Sequence, residues 1–106
     1  MRHHQAPVAA MRALEVAARH LSFTRAAEEL NITQSAVSHQ IRHLEELWDL
    51  KLFERRARRL KLTPAGSTLA PVMRDFFSRL QEALDILKAN DGPTALRVEV
   101  LPSLAA

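Results

Sequence analysis

Apolar residues recur along this chain at three- and four-residue spacing in several stretches, and in one stretch they bracket a run of arginines; the pattern predicts helices interrupted by a short hairpin. Val8, Met11, Leu14, Val16, Ala17 and Leu21 supply the apolar faces of a first helix from Val8 to Leu21. Ala26, Ala27 and Leu30 fall on the inner face of a second, from about Phe23 to Leu30, where two adjacent small side chains let another helix approach closely. Ala36, Val37, Ile41, Leu44 and Trp48 then face inward on a third, from Gln34 to about Trp48. Leu52 with Phe53, and Leu60 with Leu62, flank Arg-Arg-Ala-Arg-Arg and read as a hairpin anchored on the core with an arginine tip. A last helix runs from Pro64 to about Ala89.

The polar residues between these stretches fit the same plan. Ser22 can accept the free N–H groups of the second helix, and Thr33 is a good N-cap for the third. Asn31 sits at the turn, where positive φ is tolerated by Asn better than by most residues, and Ile32 is expected to plug the corner. Thr63-Pro64 is a helix start, with Thr as N-cap and Pro at the first helical position. Pro71 removes one backbone bond inside the last helix, so a bend is expected between Gly66 and Pro71. His20, at the end of the first helix, is expected to pack or cap rather than do chemistry. Two helices joined by the turn at Asn31 form a helix-turn-helix, and the hairpin after them makes the fold mainly α, a winged helix-turn-helix followed by a long helix.

The outward face of the third helix carries Gln34, Ser35, Ser38, His39 and Arg42, all capable of donating a hydrogen bond and none acidic. Such a face fits the DNA major groove; Gln34 suits the adenine edge and Arg42 the guanine edge, while Ser35, Ser38 and the helix start suit phosphates or bases. Glu45, Glu46 and Asp49 follow only after those turns, where they are expected to point away from DNA. From Lys51 to Thr63, Lys51, Arg55, Arg56, Arg58, Arg59 and Lys61 stand against the single acid Glu54, although the whole chain is only +3. Arginines on a hairpin suit the minor groove or its flanking phosphates.

Ser-Phe-Thr-Arg-Ala-Ala-Glu-Glu-Leu-Asn-Ile-Thr-Gln-Ser-Ala-Val-Ser from Ser22 to Ser38, then Leu52-Phe53-Glu54-Arg55 and Leu62-Thr63-Pro64-Ala65-Gly66, resemble the N-terminal domain of LysR-type transcriptional regulators. The resemblance runs from about Pro7 to Ala106, in the branch of the glycine-cleavage and β-lactamase activators. It implies a bacterial DNA-binding protein of the cytoplasm and nucleoid. It further implies base or phosphate contacts from Thr33, Gln34, Ser35, Ser38, His39 and Arg42, and groove contacts from a wing bearing Arg55, Arg56, Arg58 and Arg59. Relatives usually carry Gly after the recognition helix and at the wing tip, where this chain has Asp49 and Ala57. Ala at positive φ costs on the order of 1 kcal/mol, so a looser or different wing turn is expected. Lys51 replaces a common Pro and adds a charge near the backbone.

Leu69, Met73, Phe76, Leu80, Ala83 and Leu87 follow a 4-3-4-3-4 spacing that reads as a coiled-coil seam, widened by Phe77 and Leu84. So long a stripe argues for a second copy of the chain; the resemblance implies antiparallel linker helices in a homodimer. Two recognition helices related by a two-fold axis would read an inverted repeat in double-stranded DNA. The organisation expected is a flexible tail over 1–6, the winged domain over 7–63, a dimerising linker helix over 64–91, and a hinge with a first strand over 92–106. In the family that strand opens an α/β effector domain binding a small-molecule inducer, and Ser103 resembles a position lining its pocket. Since the chain ends there, a DNA-binding fragment is expected, with 92–106 extended or mobile and inducer binding confined to a longer protein.

Composition narrows the alternatives. With 106 residues, 47% hydrophobic, one modest core can form. The chain has no cysteine, hence no disulfide, thiolate metal site or Cys nucleophile, in keeping with a reducing cytoplasm. No apolar run approaches a membrane span, and Met1-Arg2-His3-His4-Gln5 lacks the apolar core of a signal peptide. A pI near 10.2 favours a polyanionic partner. An enzyme would have to use His39 and His43, but Gln40 stands where a zinc protease needs glutamate, so neither catalysis, metal nor cofactor is expected. A winged-helix protein-docking module is the alternative; it predicts apolar residues on the recognition face, which is instead polar and basic. RNA binding lacks an aromatic stacking platform.

Overall fold

The computed structural model describes residues 7–90, so the expected N-terminal tail and the strand and pocket position after Asn90 lie outside the described residues. The helices are α1 (Val8–His20), α2 (Phe23–Leu30), α3 (Gln34–Trp48) and α4 (Pro64–Ala89), with β1 (Phe53–Arg56) and β2 (Arg59–Leu62) between α3 and α4. The chain divides between Arg74 and Asp75 into two units, a boundary that falls inside α4.

In the first unit α1 packs on α2 and α3, and α2 on α3. Leu14, Val16, Val37, Leu44 and Leu52 are fully buried where they meet, and Ala26 and Ala27 are buried between the helices as their size predicts. Each large aliphatic side chain removed from water contributes about 1.5–3 kcal/mol. Phe53, Leu60 and Leu62 seat the hairpin on this core, as do Leu69 and Met73 of α4. Three apolar residues depart from the expected pattern: Val8 and Leu21, at the two ends of α1, and Ile32, in the turn, are exposed. The turns close through their backbones instead. Leu21, Asn31 and Asp49 each adopt a left-handed conformation after a helix. The Ile32 and Leu50 amides donate to the Ala27 and Glu45 carbonyls at 3.0 Å, a geometry that ends both helices without an apolar plug.

α4 continues through Pro71 without interruption. The carbonyl that Pro71 cannot bond belongs to Ser67, and both residues lie on the exposed side, where water can satisfy it. The start of α4 is fastened more firmly. Thr63 is buried, its hydroxyl donates to the Lys51 carbonyl, and its Oγ1 accepts from the Gly66 amide at 3.0 Å. Gly66 is required by close approach: a Cβ there would collide with the Leu52 carbonyl oxygen and come within 2.8 Å of the Leu62 side chain.

Ion pairs tie α1 to α2. The buried Glu15 accepts from Arg12 and Arg19, each at 3.0 Å, and Arg19 also grips Glu29 through two N–H groups at 3.0 and 2.6 Å. His20 reaches the same carboxylate at 2.8 Å, so it links α1 to α2 and neither caps α1 nor packs as an apolar filler. The Arg19 hydrogen bonds, then His20, hold the Glu29 carboxyl down from 4.5 to about 2.

Two outcomes follow. Gly66→Ala should destabilise the domain by about 1–3 kcal/mol, read from denaturant unfolding, because the colliding atom is backbone and cannot rotate away. Because its carboxyl is depressed in the fold, Glu29 contributes stability above pH 4.5 that is lost as pH falls toward about 2. Glu29→Gln should therefore cost about 0.2–1 kcal/mol at pH 7, the range for a solvent-screened pair, and the difference should close near pH 2 in a thermal melt series.

Candidate nucleic-acid interface

The helix-turn-helix is assembled by side-chain caps. Ser22 Oγ accepts from the Arg25 amide and Thr33 Oγ1 from the Ala36 amide, both at 3.1 Å, so each helix starts where sequence predicts. Thr33 thus has a structural task; its hydroxyl also lies 3.4 Å from that of Ser35. The Thr24 hydroxyl donates to Gln34 Oε1 at 3.2 Å, which steadies the first residue of α3 from the first turn of α2 and leaves the Gln34 amide N–H groups to donate outward. Gln34, Ser35, His39 and Arg42 are exposed and Ser38 is half-buried, so the five predicted positions share one open surface.

The wing is a two-stranded antiparallel hairpin with Phe53 opposite Leu62, Glu54 opposite Lys61, Arg55 opposite Leu60 and Arg56 opposite Arg59. Ala57 and Arg58 turn it with φ of 49° and 67°, the signs of a type I′ turn. Of the two outcomes expected from the missing glycine, a looser turn or one of different type, the looser one does not occur: the turn is tight, and both residues adopt the left-handed region that the strands' twist demands. Side chains alternate along the strands, so Glu54, Arg56, Arg59 and Lys61 share one face, while Phe53, Arg55, Leu60 and Leu62 share the other. Arg56 directly faces Arg59, a like-charge pair that is unfavourable until an anion joins it; Glu54, 3.9 Å from Arg56, offsets it weakly.

Glu45 has a structural task that the sequence did not reveal. Its largely buried carboxylate accepts from the Leu52 and Phe53 amides at 2.8 and 3.3 Å, with Lys51 Nζ 3.5 Å away. It ties the last turn of α3 to the first residues of the wing. No spacing rule links an acid on a helix with amides seven and eight residues later.

The linker row divides at the boundary between units. Leu69 is half-buried and Met73 buried in the winged domain's own core, so these two predicted seam positions serve the first unit. Beyond Asp75 the row emerges: Phe76, Leu80 and Leu87 are 45%, 46% and 59% exposed, Ala83 is exposed, and the Phe76 and Phe77 rings pack edge to face at 5.0 Å.

Residues 8–67, more than half of the chain, match the family described as bacterial regulatory helix-turn-helix protein, lysR family. The chain belongs to the LysR family. Among curated relatives it is 52% identical over 99 residues to the glycine cleavage system transcriptional activator of Escherichia coli strain K12, covering 93% of this chain and 32% of that protein. It is 43% identical over 99 residues to the transcriptional activator AmpR of Citrobacter freundii, covering 93% of this chain and 34% of that protein. The chain thus spans about a third of the length of these relatives. A solved structure of the BenM DNA-binding domain in complex with catB site 1 DNA superposes with a TM-score of 0.75 at 30% identity, over 82% of this chain and 98% of that one. LysR membership removes the enzyme reading of His39 and His43, since the family consists of regulators. Among the described residues no helix is long and apolar enough to cross a membrane.

Glu45→Ala should destabilise the LysR domain by about 1–3 kcal/mol, because two amides at the start of the wing lose their acceptor. Amide hydrogen exchange should accelerate at Leu52 and Phe53 by more than at the α1 amides, which follow the global loss of stability alone.

Proposed function

We propose that this chain is the DNA-binding and dimerisation segment of a bacterial transcriptional regulator acting in the cytoplasm. The observation that carries the reading is the acid-free surface of Gln34, Ser35, Ser38, His39 and Arg42 beside a wing whose Arg56 and Arg59 face each other. In this reading α3 lies in the major groove, with Gln34 and Arg42 reading base edges and Ser35, Ser38 and His39 completing the contacts. Thr33 orients the start of α3, and Arg58 and Arg59 carry the wing's charge into the adjacent minor groove or its phosphates. The relatives named as activators, and the neighbour solved with DNA, support this assignment.

Homodimerisation through Phe76, Leu80, Ala83 and Leu87 completes the proposal. An exposed row of this kind is stabilised by a second copy, and two recognition helices about a two-fold axis select an inverted repeat. Effective concentration then raises the affinity of the pair well above that of one domain.

Selection from a randomised duplex pool tests the reading. The wild type should enrich an inverted repeat; Gln34→Ala with Arg42→Ala should lose the sequence preference, at about 1–3 kcal/mol for each base pair no longer read. Leu80→Asp should leave a monomer in sedimentation that enriches only a half-site. Enrichment of no sequence by the wild type, with binding that is only salt-sensitive, would favour an architectural or protein-docking role.

A further inference from the structure

Of the wing arginines, Arg55 is set apart by its position. Alternation places it on the hairpin face that bears Phe53, Leu60 and Leu62, turned toward the helices, whereas Arg56 and Arg59 lie on the opposite face and Arg58 at the turn. Its guanidinium carbon stands 5.8 Å from the centre of the Phe23 ring, and that ring meets Phe53 edge to face at 5.4 Å and 83°. A ring contact engages the positive charge without consuming the N–H donors, so the group is held in place yet still able to bond.

What it can bond to follows from its surroundings. Arg55 borders a cleft of about 380 Å³ between α3 and the wing, along with Ser38 and Arg42. Two acids also border it: Glu45, committed to the Leu52 and Phe53 amides and Lys51, and Glu54, held only by a weak 3.9 Å contact to Arg56. The donors bordering the cleft are the Arg42 and Arg55 guanidiniums, the Ser38 hydroxyl and the Lys51 ammonium that also meets Glu45 at 3.5 Å, a set suited to an oxyanion. Phe23 is the first residue of α2, and in helix-turn-helix docking the first helix of the pair crosses the phosphate backbone.

We propose that Arg55 acts with the recognition helix and not with the wing tip: seated on Phe23, it holds the DNA backbone phosphate that flanks α3 on the wing side. Phe23 is its positioning residue. This rests on the DNA-binding reading above and refines it by dividing the wing's charge between a phosphate clamp, Arg55, and a tip, Arg58 with Arg59.

The test is phosphate ethylation interference and salt-dependent affinity on the selected duplex, comparing wild type, Arg55→Gln, Phe23→Leu and Arg58→Gln, with a thermal melt of each. Arg55→Gln should weaken binding about ten- to a hundredfold, reduce the slope of log affinity against log salt by about one, and leave the selected sequence unchanged. It should abolish interference at one phosphate per half-site, beside the base pairs read by α3. Phe23→Leu should weaken interference at that same phosphate, and Arg58→Gln should act at a different one. An Arg55→Gln protein with a lower melting temperature but the wild-type salt slope and interference pattern would make Arg55 a structural staple and overturn the proposal. So would a change in the preferred base at one position, which would make it a base reader. A wild type that selects a duplex while Arg55→Gln behaves normally refutes this inference alone; a wild type that binds no DNA refutes the function as well.

Discussion

The backbone from Lys51 to Phe53 is the constraint on which the rest of the structure depends. Glu45 of α3 accepts from the Leu52 and Phe53 amides, while Thr63 bonds the Lys51 carbonyl through its hydroxyl and the Leu52 carbonyl through its amide. Gly66, at the start of α4, lets that helix lie against the same Leu52 carbonyl. Recognition helix, wing and linker helix therefore meet at three residues, and Leu52 is itself fully buried. A junction bonded at so many points fixes the direction in which the wing leaves α3, since shifting it would strand several backbone groups without partners.

The same economy sorts the charges. Glu15, Glu29 and Glu45 are committed to arginines, a histidine and backbone amides, while Glu54 on the wing meets only Arg56, at 3.9 Å. Arg56, Arg58 and Arg59 of the wing keep their charge away from the core, and one opposed pair, Arg56 and Arg59, is unfavourable until an anion arrives. A surface built so is complementary to a polyanion before any base is read, and the polar side chains of α3 then add discrimination.

Much of this was legible in the sequence because local rules govern it. The caps at Ser22 and Thr33, the left-handed Asn31, the buried Ala26-Ala27 pair and the hairpin around its arginines all follow from neighbouring residues, and the structure has them there. Three features were not legible. Ile32 reads as a plug from its composition but is exposed, because backbone bonds already close the turn. Leu69 and Met73 share a heptad register with Phe76 and Leu80, and periodicity alone cannot say that the first pair packs into the winged domain while the second emerges. Glu45 binds amides across a chain reversal, a tertiary contact without a local signature. The wing tip lay between these cases: missing glycine suggested looseness, yet the twist of two short strands imposes positive φ on Ala57 and Arg58.

The central claim is that the Lys51–Phe53 junction holds α3 and the wing so that both engage one stretch of duplex, twice, about a two-fold axis. Dimethyl sulfate methylation interference on a bound duplex tests it most directly, since it reports guanine N7 in the major groove and adenine N3 in the minor groove in one experiment. The account predicts two symmetry-related patches of major-groove interference, each flanked on one side by minor-groove interference. A single asymmetric patch, or no interference in either groove while binding persists, would contradict it.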